Sequence, residues 1–183
     1  LKVMSQDVLT IKEIMDLIAA AKTPLRVMEV GAGTGTECLW MALNGADVLG
    51  IDIKNDRLST AMKRQEVLEK QLGKPLDCEF KKMNILEAED SAFDIIWLEQ
   101  AFHHMEPREE VLKKLSALVI SGGHIVFQEA NALSPLLQIL LFMRRGFKTI
   151  KTYKDDMGQK HIYGDERILT SKRLSKHLED NGF

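Results

Sequence analysis

The stretch Arg26-Val-Met-Glu-Val-Gly-Ala-Gly-Thr-Gly-Thr36 decides how this chain is read. An apolar run enters three alternate glycines, Gly31, Gly33 and Gly35, and an acidic residue, Glu29, stands two positions before the first. A helix-like pattern follows, Glu37-Cys-Leu-Trp-Met-Ala-Leu43, and then a strand-like run, Ala46-Asp-Val-Leu-Gly-Ile51, that ends on Asp52. In an open parallel sheet, this order of strand, glycine turn, helix and strand with a carboxylate at its tip holds a nucleoside-bearing ligand at the strands' carboxyl ends. The glycines allow positive φ and carry no Cβ, so the backbone can press against that ligand. A dinucleotide fingerprint, Gly-x-Gly-x-x-Gly, needs a third glycine at position 36 below a pyrophosphate. Thr36 stands there, and the spacing points to a ligand without phosphates.

Two carboxylates frame the turn. Asp52 is placed to accept both hydroxyl protons of a ribose; the competing reading is a turn or helix-start aspartate. Glu29, at a buried strand end, needs a partner, which a ligand or a backbone amine can supply.

Outward from this stretch, strands and helices alternate. An apolar stripe at Val8, Ile11, Ile14, Met15, Ile18 and Ala19 predicts a helix over 7–21, stopped by Pro24. Strands are expected at 25–30, 47–51, 77–82, 92–98 and 124–129, and helices at 37–44, from Asn55 or Ser59 to 72, and at 108–119. Ser121-Gly-Gly123 reads as the turn before the fifth strand. The fold class is therefore α/β, with a doubly wound, mainly parallel sheet in a single domain, 1–183. Past Asn131 the pattern changes. An apolar stretch, Leu136 to Met143, runs into Arg144-Arg-Gly-Phe-Lys148, the segment 151–168 has no clear period, and a last helix covers 171–181.

Composition sets the bounds. The 183 residues suffice for one domain with a substantial core. The net charge of -2 gives no global electrostatic case for nucleic acid. Residues 144–183 nevertheless hold ten Lys and Arg against six Asp and Glu. No apolar run approaches the ~18 residues of a membrane span, and no signal peptide opens the chain, so a cytoplasmic protein is expected. Cys38 and Cys78 lack metal-ligand spacing and read as reduced, buried thiols; no metal site is read from the sequence.

Taken together, Val27-Met-Glu-Val-Gly-Ala-Gly-Thr-Gly35, Val48-Leu-Gly-Ile-Asp52, Met83-Asn-Ile85, Phe93 through His104 and Ser121 through Glu129 resemble the class I S-adenosylmethionine-dependent methyltransferases, in particular the group acting on small molecules. The resemblance runs from about Val27 to Phe183. It implies S-adenosyl-L-methionine as cofactor, with S-adenosyl-L-homocysteine as product. It implies that Gly31, Ala32, Gly33 and Gly35 line the methionine and ribose, that Glu29 organises the amino end and that Asp52 holds the ribose. Ile53 would lie against the adenine, Asn84 and Ile85 beside it, and Leu98 and Glu99 at the methionine ammonium. Asn84 stands where the family usually has Asp; an amide oxygen can accept the same hydrogen bond without charge.

His103 and His104 are the candidate catalytic residues. A histidine beside the methyl can serve as general base, since its unperturbed pKa of about 6.5 suits that work; the competing reading is that the pair orders the loop. A nucleophilic acceptor needs orientation more than a base. Residues 132–168 read as a lid or insert at the acceptor site; within them, Ser134 to Lys148 reads as a core or lid helix, as an apolar wall over the acceptor, or as a membrane-surface contact. The acceptor is expected to be small and organic, with an apolar wall implying a lipophilic one. A non-catalytic cofactor-binding protein, and an RNA or anionic-lipid methyltransferase using the basic 144–176 region, remain open. The resembled fold has two further strands, so the natural chain is expected to be longer, or the fifth strand's edge to be covered by another chain or segment.

Overall fold

Ile11, Ile14 and Ile18 share one helical stripe, and all three are buried. The computed structural model describes residues 2–89, 92–154 and 160–183, with side chains from Ile11 onward; Val8 of the stripe lies outside the described side chains. The elements are α1 Lys2–Ala20, β1 Arg26–Val30, α2 Thr36–Leu43, β2 Asp47–Asp52, α3 Asn55–Leu72, β3 Cys78–Lys82, β4 Phe93–Glu99, α4 Arg108–Leu118, β5 Val119–Gln128, α5 Pro135–Arg145, β6 Ile150–Lys154, β7 Lys160–Gly164 and α6 Ser171–Asp180. Single 3-10 turns cover Ile85–Glu87 and Phe102–His104.

Five strands form one sheet in the order β3-β2-β1-β4-β5, and β6 pairs antiparallel with β7 in a separate hairpin. The pairings β3–β2, β2–β1 and β1–β4 are parallel. Glu29 lies opposite Gly50 on one side and Trp97 on the other. β1 is therefore central, and Val27, Met28 and Val30 are buried as a two-sided parallel strand requires. The strand order reverses between β1 and β4, which makes their carboxyl ends the switch point where such sheets bind ligands.

The chain divides into two compact units, Leu1–Leu98 with Leu118–Val126, and Glu99–Ala117 with Phe127–Phe183. In the first, Ile11, Val27, Leu39, Met41, Val48, Phe80 and Trp97 belong to one apolar core. α3 ends where Gly73, at φ 68, returns its N–H to the Glu69 carbonyl at 2.9 Å. In the second unit, Val111, Leu112 and Leu115 of α4 are buried, and the Phe102 ring meets Phe127 edge-on at 5.1 Å.

Two expectations needed correction. β5 begins at Val119, five residues before the expected strand, because Ser121-Gly-Gly123 is strand and not turn. A Cβ on Gly123 would sit 2.8 Å from the Asp94 carbonyl, so glycine is there to let the backbones approach. The segment 151–168 is not structureless: it carries most of β6 and all of β7, with Tyr153 stacked on its cross-strand partner His161 at 5.3 Å. Residues 155–159 of that segment lie outside the described residues.

Ser134 caps α5 by accepting the Leu137 N–H, and Pro135 opens its first turn. Among its apolar residues Leu141 is buried, whereas Leu136, Ile139, Leu140, Phe142 and Met143 are exposed. β5 lies at the edge of its sheet. No helix among the described residues is long and apolar enough to cross a membrane.

Candidate functional site

The glycine turn is tied to the end of β2. Gly31 and Ala32 donate their N–H groups to the Ile51 carbonyl at 2.8 and 3.0 Å. Gly31, Gly33 and Gly35 have φ of 86°, 53° and 74°, the left-handed region in which a side chain is strained. Asp52 is 7% exposed; its Oδ2 accepts from Gly33 N at 3.0 Å and its Oδ1 from Lys54 N at 2.8 Å. A carboxylate offers about four acceptor sites, so each oxygen keeps one for a ligand. Ile53 beside it is 46% exposed, an apolar surface at the strand tip.

The three glycines do different work. The space over Gly33 is open, since the nearest atom to a Cβ there would be the Gly31 carbonyl at 3.9 Å. Gly35 is closed in: a Cβ would lie 2.6 Å from Phe80 Cζ and 2.8 Å from the Ala61 Cβ. Gly35 thus lets α2 start tight against β3 and α3. From outside, Arg64 of α3 clamps the turn, donating from Nη1 to the Thr34 carbonyl and to Thr36 Oγ1, both at 2.8 Å. Nothing in the sequence spacing marked Arg64.

Glu29 is 2% exposed and accepts a hydrogen bond from the Cys38 thiol at 2.8 Å. Burial pushes that thiol's pKa up, and the neighbouring Cys78 and the Glu29 charge add to the effect. The thiol therefore stays protonated and able to donate. Both cysteines are free, as the sequence implied; Cys38 is buried and Cys78 half-buried.

Asn84 caps the 3-10 turn after β3. Its Oδ1 accepts from Leu86 N at 3.1 Å, and Asn84 N donates to Glu87 Oε2 at 3.1 Å. One oxygen lone pair is thus engaged locally, and a second lone pair with the amide N–H groups is left for recognition. Ala32, Ile85 and Leu98 are buried, so any ligand contact from them runs through backbone. Glu99, at the end of β4, accepts from Gln128 Nε2 at 3.2 Å.

In the second unit the loop after β4 is organised by Glu129, to which the sequence reading gave no role. Its Oε1 accepts from the backbone N–H groups of Ala101 and Phe102 at 3.1 and 2.7 Å, and its Oε2 accepts from His103 Nδ1 at 2.5 Å. One carboxylate thus holds both the turn and the imidazole; in the tautomer that donates from Nδ1, the lone pair lies on Nε2. The neighbouring His104 donates from Nδ1 to the Gly164 carbonyl at 2.9 Å. Glu166 Oε2 lies 3.5 Å from His103 Nε2. A small recess beside them is lined by Phe102, His103, Glu129, Arg167, Leu169 and Leu174. A carboxylate ending an apolar strand was the signal that could have found Glu129, as it found Asp52.

Comparison with known proteins agrees with this geometry. The sequence matches the family described as a methyltransferase domain over residues 6–183. It is 33% identical to the ubiquinone biosynthesis O-methyltransferase of Chromobacterium violaceum over 107 residues, 58% of this chain and 44% of that protein. It is 26% identical to the methyltransferase GfsG of Streptomyces halstedii over 128 residues, 69% of this chain and 45% of that one. The chain thus spans less than half the length of these relatives. Among solved structures, phosphoethanolamine N-methyltransferase 2 of Haemonchus contortus in complex with S-adenosyl-L-methionine shares the fold, with a TM-score of 0.70 at 15% identity, covering 98% of this chain and 36% of that one. The parallel sheet, its strand order and the family match agree: the chain belongs to the class I methyltransferases, whose methyl donor is S-adenosylmethionine.

Proposed function

We propose that this chain is the donor-binding domain of an enzyme that transfers a methyl group from S-adenosylmethionine to a hydroxyl oxygen of a small organic acceptor. The observation that carries the donor half is Asp52, whose two oxygens hold the glycine turn and β2 end together and still have lone pairs for a vicinal diol. Open space over Gly33 and the exposed apolar Ile53 fit a ribose and an adenine face. Glu29, Gly31, Ala32, Asn84, Ile85, Leu98 and Glu99 complete the proposed donor site. Gly35 is proposed with them, and it also lets α2 pack against Phe80 and Ala61.

When bound, the cofactor supplies a methyl on a positively charged sulfur, which an oriented nucleophile can take without metal or acid help from the donor side. The acceptor side is assigned to His103 and His104. Glu129 fixes His103 so that its Nε2 lone pair is free to act on an acceptor hydroxyl. Oxygen as the methylated atom is supported by the likeness to the O-methyltransferase of Chromobacterium violaceum. Segment 132–168 is proposed as the acceptor-side wall, and the exposed apolar residues of α5 favour a lipophilic acceptor. The single domain spanning both units, 1–183, is proposed on the family match over 6–183.

The test is turnover. With S-adenosylmethionine and a panel of hydroxylated aromatic and prenylated acceptors, formation of S-adenosylhomocysteine that depends on one acceptor is expected. Tight cofactor binding with no turnover on any acceptor class would contradict the enzymatic reading.

A further inference from the structure

The strongest cluster of potential metal ligands joins the two loop histidines to a residue more than sixty positions away in the sequence. One ligand atom each from His103, His104 and Glu166 lies within 4.8 Å of the others. We infer that these three residues form a binding site for a first-row divalent metal ion of the zinc type. Two imidazoles and one carboxylate are a donor set for such ions, and three protein ligands with a fourth position free is the count found in catalytic rather than structural sites.

Each ligand has an outer partner that orients it, the arrangement metal sites require. Glu129 takes the Nδ1 proton of His103 at 2.5 Å, and the Gly164 carbonyl takes that of His104 at 2.9 Å. In the tautomers that donate from Nδ1, both rings offer Nε2. Arg144 Nη2 lies 3.3 Å from Glu166 Oε1, which leaves Oε2 turned to His103 Nε2 at 3.5 Å. Two ligands held 2.0–2.1 Å from a tetrahedral ion sit about 3.3 Å apart. That pair is already at the required separation, and a ligand atom of His104 lies within 4.8 Å of both.

The backbone is committed to this arrangement. Glu166 is a non-glycine residue at φ 53, and Gln100 at the head of the loop is another at φ 47. Such strain persists where surrounding structure holds it. Here Arg167 N donates to the His103 carbonyl at 3.1 Å, Arg108 Nη2 donates to the Arg167 carbonyl at 2.8 Å, and Arg167 pairs with Glu106. A Cβ on Gly164 would overlap the His103 carbonyl, so only glycine lets the end of β7 close on the histidine loop. His103 and Glu129 have side chains only 5% and 11% exposed, so the site is shielded on one side and open at His104.

On the preceding reading of function, the ion would take over from His103 as the group acting on the acceptor hydroxyl, with Nε2 holding the ion instead of accepting a proton. It would hold the acceptor's hydroxyl oxygen and lower that group's pKa, so that the proton leaves to solvent before transfer. The oxygen lone pair then forms the O–CH3 bond as the S–CH3 bond breaks, and S-adenosylhomocysteine departs as a neutral thioether. Metal binding itself does not depend on that reading.

The test uses the 183-residue chain, stripped with chelator and titrated with Zn2+ and with Co2+ in the absence of cofactor and acceptor. Calorimetry and the Co2+ visible spectrum should report one ion per chain. His104→Asn keeps a donor for the Gly164 carbonyl but loses the ligand nitrogen, and Glu166→Gln loses the charge; each should weaken binding at least tenfold. Glu129→Gln should weaken it 10–100-fold through His103, while the surface variant His124→Ala binds as the parent does. Absence of binding at micromolar ion, or equal affinity in the parent, His104→Asn and Glu166→Gln proteins, would overturn the proposal. Methyl transfer that survives chelation would leave the function in place and remove the ion from it.

Discussion

Replacing Asp52 with alanine should produce two separable losses. The first is structural. The carboxylate takes two backbone N–H groups, from Gly33 and Lys54, and is almost wholly buried. Each bond to a charged acceptor is worth about 1.5–3 kcal/mol, but both amides regain some water in the variant. We place the loss for the pair at about 2–3 kcal/mol, a fall in Tm of roughly 4–12 °C for a chain of this size. The second loss is functional. With the ribose hydroxyls deprived of a charged acceptor, S-adenosylhomocysteine should bind about 1.5–3 kcal/mol more weakly, roughly 10–150-fold in Kd. Calorimetry well below the variant's melting temperature measures this without contribution from unfolding. A Tm that falls as stated beside a Kd within twofold of the parent would refute the reasoning: Asp52 would be a brace for the turn and nothing more.

Two further outcomes follow from the same region. Gly35→Ala should cost about 2–5 kcal/mol in urea unfolding, from left-handed strain plus a Cβ driven to 2.6 Å of Phe80 Cζ; a loss below about 1 kcal/mol would show that α2 and α3 yield more than the packing implies. Cys38 should alkylate far more slowly than Cys78 in the native state, because burial first, then Cys78 and Glu29, push its thiol up. The sign of the linkage follows: this contribution to stability is complete below the unfolded thiol's pKa of about 8.5 and is lost as pH rises above it. Between about pH 8 and 10 the parent should therefore lose more stability than Cys38→Ala, and parallel losses would contradict the buried-thiol account.

The first unit was legible in the sequence because its signals are local. Strands buried on both faces read as unbroken apolar runs, the helices between them show a 3.6-residue stripe, and Gly31, Gly33 and Asp52 lie within one strand-turn-helix-strand unit. The second unit was less so. β6 and β7 form a two-stranded hairpin with largely polar faces, so no apolar alternation announced them; the Tyr153 and His161 pairing that joins them exists only once the register is known. β5 was shortened because Gly122 and Gly123 carry the same letters whether they make a turn or admit a neighbouring backbone. The packing of Gly35 against Phe80 was hidden for the same reason, since that contact is tertiary. Glu166 had no sequence signal: its link to His103 is made by the closure of β7 on the loop, across more than sixty residues.

The central claim is that the turn after β1 and the tip of β2 hold a sulfonium nucleoside rather than a dinucleotide. Titrating the chain with S-adenosylmethionine, S-adenosylhomocysteine and NAD, with melting temperature and calorimetry as readouts, tests it directly. The account predicts saturable one-to-one binding of S-adenosylmethionine and S-adenosylhomocysteine, each raising Tm, and no effect of NAD. Stabilisation by NAD alone would contradict it.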